Sequence, residues 1–64
     1  MIQITDKFLI LYNINVKKNI LQRRLRKDKE LMKELKVVLK INEYSINFFI
    51  NEEDIDNLRL YFNK

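Results

Sequence analysis

Hydrophobic positions along this chain change their spacing twice, and each change predicts a new element. Over residues 8–14, FLILYNI, an extended backbone puts Phe8, Ile10, Tyr12 and Ile14 on one face and Leu9 and Leu11 on the other. A run that is apolar on both faces predicts a central strand. Residues 1–4, MIQI, separated from it by Thr5, Asp6 and Lys7, read as the first arm of a hairpin. From Ile20 the period becomes helical. Ile20, Leu21, Leu25, Leu31, Met32 and Leu35 fall within an arc of about 140°, which predicts one amphipathic helix over roughly residues 17–35. Asn15, or Asn19 with Gln22 three positions on, offers its N-cap.

The period then returns to two. Residues 36–41, KVVLKI, are rich in β-branched side chains, and Tyr44, Ile46, Phe48 and Ile50 alternate, so a second hairpin is expected with its turn at Asn42 and Glu43. The competing reading continues the helix through Val38 and Leu39. Residues 51–54, NEED, are a helix start, because Asn51 can cap and three carboxylates follow where a helix is electropositive. Ile55, Leu58 and Phe62 form the ridge of that last helix. The expected architecture is a single α+β domain over residues 1–64, in the order ββαββα, with βαββα as the fallback. A small antiparallel sheet of three to four strands would be covered on one face by two helices.

Length and composition narrow the chemistry. A chain of 64 residues without cysteine or histidine has no disulfide, no usual zinc ligand and no side chain that ordinarily titrates near neutrality. A core this small seldom encloses a cleft for paired carboxylates. Catalysis, a metal, a cofactor and a small-molecule substrate are therefore not expected. With neither glycine nor proline there is no phosphate-binding glycine loop, and Asn, Asp, Ser and Thr must make the turns. No apolar stretch is long enough for a membrane span, and MIQITDKF lacks the pattern of a secretory signal, which places the protein in the cytoplasm.

Charge is unevenly laid out. Residues 17–40 carry ten Lys or Arg against three acids, a net +7, while the remainder is −3. Lys, Ile and Asn supply 26 of the 64 residues, and A/T-rich codons explain much of that lysine. Arginine is more informative, and three of the four lie in LQRRLRKDKE, residues 21–30. On one continuous helix Gln22, Arg26, Lys29, Lys33 and Lys36 oppose the apolar arc, with Arg23 and Lys27 on its flank. Such a stripe can follow phosphates, or it can simply be the solvated face, partly neutralised by Glu30 and Glu34. Arg24 and Asp28 lie inside the apolar arc, four apart, where they can pair with each other at its rim or sit in a partner interface across a two-fold axis. Leu9, Leu11 and Phe49, on the second sheet face, are the other interface candidates. Glu52, Glu53, Asp54 and Asp56 point in different directions and read as capping residues. Among the aromatics Phe49 is the candidate for exposure.

In general style the chain resembles the small proteins of phages and mobile elements, a likeness that locates no functional residue. The expected function is non-catalytic binding by a homodimer, with a nucleic acid or nucleoprotein contacted through residues 17–36. The alternative is a protein-interaction module or inhibitor that acts through its acidic C-terminal segment or free sheet face.

Overall fold

The computed structural model describes all residues, 1–64, as a mixed fold with a three-stranded antiparallel sheet and four helices. In chain order these are β1 (Ile2–Gln3), α1 (Asp6–Leu11), α2 (Lys18–Lys27), α3 (Lys29–Glu34), β2 (Val38–Ile41), β3 (Ile46–Ile50), a 3-10 turn (Glu52–Asp54) and α4 (Ile55–Phe62). The fallback order βαββα is nearer to this than ββαββα, with three helices standing where it has one. No helix is long and apolar enough to cross a membrane.

The hairpin expected at residues 36–50 is present, with Leu39 opposite Phe48 and Ile41 opposite Ile46. Its turn is held by one side chain: Asn42 Oδ1 accepts from Tyr44 N, Ser45 N and Ser45 Oγ. The strand therefore starts at Ile46, and Tyr44, expected on the core face, projects from the tip with 94% of its surface exposed. β3 is the central strand because β1 pairs on its other edge, Ile2 opposite Ile50. Alternation then sorts the faces. Ile2, Leu39, Ile46, Phe48 and Ile50 face inward, and Gln3, Val38, Lys40, Asn47 and Phe49 face outward, where Gln3 donates to Asn47 at 2.9 Å.

Residues 8–14 are not a strand. Thr5 caps a helix by accepting from Phe8 N at 3.1 Å, and Asp6 puts a carboxylate in the first turn. The helix ends on Asn13, which sits in the left-handed region at φ 57°; its N–H donates to Ile10 O and that of Ile14 to Leu9 O. That bond pair is the Schellman closure, usually built on glycine, which this chain lacks. α3 closes the same way on Lys36 at φ 56°, with Lys36 N–H to Lys33 O and Val37 N–H to Met32 O. Asparagine tolerates this conformation and a β-branched residue does not. Asn13→Gly is expected to leave the thermal midpoint nearly unchanged and Asn13→Val to cost about 1–2 kcal/mol, which urea titration followed by circular dichroism would measure.

The single helix expected over residues 17–35 is two. Asp28 has φ −122° and ψ 88°, and its Oδ1 accepts from Leu31 N at 3.0 Å, capping α3. A carboxylate that can satisfy a new helix start competes with continuation of the old one. Leu21 and Leu25 from α2, Leu31 and Leu35 around α3, Phe8 and Leu9 from α1, Phe48 and Ile50 from β3, and Ile55 and Leu58 from α4 join one core cluster with Ile4, Ile14 and Val37. Ile20, expected within the apolar arc, lies outside that cluster.

Candidate nucleic-acid interface

α2 is held from three directions. Its N-cap residue, Lys17, supplies no capping bond, and the carboxylate of Asp6 on α1 substitutes by accepting from Lys18 N at 3.1 Å. The six residues 12–17 that join the two helices are fastened from α4: Asn63 Nδ2 donates to Asn13 O and Asn63 Oδ1 accepts from Asn15 N, both at 2.6 Å, while Arg59 donates to Tyr12 O at 3.2 Å. Further along α2, Arg24 donates to the Tyr61 hydroxyl at 2.7 Å and lies 5.4 Å from that ring's centroid. Arg24 and Asp28 are thus not a pair with each other. One joins α2 to α4, and the other starts α3.

With Leu21 and Leu25 buried, a rotation of about 100° per residue places Arg23 opposite the core, Asn19 and Arg26 to one side of it and Ile20 and Lys27 to the other. Asn19, Arg23, Arg26 and Lys27 are all exposed, and together with half-buried Gln22 they line an open depression of about 400 Å³ without one apolar side chain. The Gln22 amide nitrogen is shielded from solvent and has no protein partner. Only two ion pairs exist in the molecule, Arg59 with Asp56 and Lys36 with Asp54 at 4.0 Å. Neither Glu30 nor Glu34, on the following helix, forms an ion pair with an α2 cation. A cationic face without internal counter-charge attracts polyanions, and it does so most strongly at low ionic strength.

The break at Asp28 divides the expected stripe. Gln22, Arg23, Arg26 and Lys27 come together on α2. Lys29 and Lys33 are exposed on α3, a separate helix, and Lys36 is drawn to Asp54, the one buried charged residue at 5% exposure. Asn19 belongs to the group but was read as a cap; its place one turn before Arg23 was the available signal. The interface candidates scatter. Leu9 is a core residue, 2% exposed, and so is not on a surface at all. Leu11 is exposed on α1, and Phe49 is half-covered, with Lys40 Nζ 5.0 Å from its ring centroid. Tyr44, not Phe49, is the fully presented aromatic. Set against known protein families, curated proteins and solved structures, the chain matches none.

Proposed function

We propose that this protein binds duplex DNA by laying α2 in the major groove. The observation that carries the reading is the outward face of α2, where Asn19, Gln22, Arg23, Arg26 and Lys27 form one polar, cationic surface with no internal ion pair. The chemistry of that surface suits base edges as well as phosphates. Arginine can donate twice to guanine O6 and N7, and asparagine or glutamine can pair with adenine N6 and N7. B-form DNA offers a major groove about 12 Å wide, which admits a helix, whereas the major groove of A-form RNA is too narrow. Single strands call for exposed aromatics beside cations, and α2 carries none.

The test is a low-salt titration with duplex DNA, single-stranded DNA and structured RNA. Duplex DNA should bind tightest, with log K falling by about 0.9 per phosphate neutralised for each unit of log salt. Absence of binding to all three at micromolar protein would defeat the proposal. The alternative, a protein-interaction module, would then take its place, favoured by the outer face of α4, where Asp56 and Asn57 flank an exposed Leu60.

A further inference from the structure

Ile20 stands out on α2. The rest of the outward face is polar or charged, yet this isoleucine is 50% exposed between Arg23 and Lys27 on one side and the start of the helix on the other. It is the single apolar wall of an open depression of about 390 Å³ whose other lining residues are Arg23, Arg24, Lys27 and Asp28. Asp28 caps α3 through one carboxylate oxygen and keeps its charge, and Arg24 holds Tyr61, so the free cations beside Ile20 are Arg23 and Lys27, in a depression with three cations and one carboxylate. Toward the helix start the apolar surface continues past Lys17 to Val16, Ile14 and Ile10, the last 78% exposed. A half-exposed aliphatic side chain flanked by two unpaired cations, Arg23 and Lys27, in a depression of net positive charge fits an occupant that is itself anionic and offers a small apolar group at the depth of the helix surface. The 5-methyl group of thymine in the major groove has that chemistry, lying between two phosphate backbones.

Resting on the duplex-DNA reading above, we propose that Ile20 is a specificity-determining residue that selects thymine by packing against its 5-methyl group. Arg23 and Lys27 hold the neighbouring phosphates or base edges, and Ile20 fills the space that a uracil would leave open. Ile20 is not a member of the buried cluster and keeps half of its surface exposed, so its role is separable from the core's.

The experiment uses two alternating duplexes, poly(dA-dT) and poly(dA-dU), which carry the same hydrogen-bonding groups and differ by the methyl alone. Anisotropy titrations of the whole protein at low salt would compare wild type, Ile20→Ala and Ile20→Val. The wild type should prefer the thymine duplex by about fourfold, the scale of one buried methyl group. Ile20→Val, which keeps a branched methyl, should retain most of that ratio, and Ile20→Ala should bring it to about one while still binding both duplexes. Circular dichroism would establish that each variant is folded. Equal affinity of the wild type for both duplexes would overturn the assignment of Ile20, as would an unchanged ratio in Ile20→Ala, since the methyl would then be sensed elsewhere or through duplex shape. Failure to bind either duplex is a different result: it overturns the assignment of Ile20, and only if mixed-sequence duplex DNA is also left unbound does it remove the DNA reading itself.

Discussion

Replacing Arg23 and Arg26 together with glutamate is expected to weaken duplex-DNA binding by well over tenfold while the protein stays folded. Both side chains are exposed on α2, neither makes an ion pair or hydrogen bond within the molecule, and neither belongs to the core, so the substitution removes nothing that holds the fold. Each arginine that contacts a phosphate contributes about 0.9 to the slope of log K against log salt, so the doubly neutralised variant Arg23→Ala, Arg26→Ala should lose roughly 2 from that slope. If Arg23 also reads a base, Arg23→Ala alone should cost about 1–3 kcal/mol and relax sequence preference at one position, whereas Arg26→Ala should weaken all sequences alike. The same reversal at Lys29 and Lys33 is the contrast. Those lysines project from α3, and the predicted loss there is smaller and free of sequence dependence. A slope that changes equally in the α2 and α3 variants would mean that net charge, not the α2 face, carries binding.

The largest effect on stability is expected one residue away from one of the smallest. Phe48 is completely buried on the inward face of the central strand, opposite Leu39, and every element that lines the core reaches the same cluster. Phe48→Ala should cost about 3–5 kcal/mol, since a buried phenylalanine loses both its transfer energy and its packing. A domain of this length has only about 3–10 kcal/mol in total, so the variant should lose half or more of its stability and its urea midpoint should fall steeply. Phe49, next along the chain, faces outward under Lys40, and Phe49→Ala should cost about 1 kcal/mol, the scale of an exposed cation-aromatic contact. Urea melts by circular dichroism separate the two. Similar losses would mean that the strand register differs from the pairing of Leu39 with Phe48.

That contrast was readable in the sequence, because five residues of clean alternation fix both a strand and its faces. The start of α4 was readable in part: the carboxylates mark where a helix begins, but Asn51 makes no side-chain capping bond, the first turn over Glu52–Asp54 is a 3-10 turn, and Asp54 is buried beside Lys36 instead of capping. α1 was not. Six residues are fewer than two helical turns, and FLILY, apolar all along, fits period two as well as period 3.6; only Thr5 with Asp6 before it and Asn13 after it argue for the helix. The break at Asp28 left a trace as well, since the step from Leu25 to Leu31 is neither three, four nor seven residues, yet the arc drawn over the whole segment absorbed it.

For the candidate site, the clustering of arginines falls on α2, whose outward face carries Arg23 and Arg26. What sequence alone withheld was the direction of the core, which depends on α4 and β3 packing against α2. Spacing alone therefore puts Ile20 inside and pairs Arg24 with Asp28, whereas Arg24 reaches Tyr61, far along the chain, and Asp28 turns to the Leu31 amide three positions on, a capping bond that a continuous helix would not contain.

The fastening of the α1–α2 connection by Asn63 also bears on when the molecule can form. Asn13 and Asn15 lie 50 and 48 residues before their partner, and Ile2 pairs with Ile50. A growing chain emerging from a ribosome could hold α1 and α2 complete while lacking the groups that fix one against the other, because the loop to be closed spans most of the molecule and its closure entropy must be met all at once. Nascent or truncated chains ending before β3 should therefore be without a defined α2 surface, and on the duplex-DNA proposal binding should arrive abruptly, with the last helix.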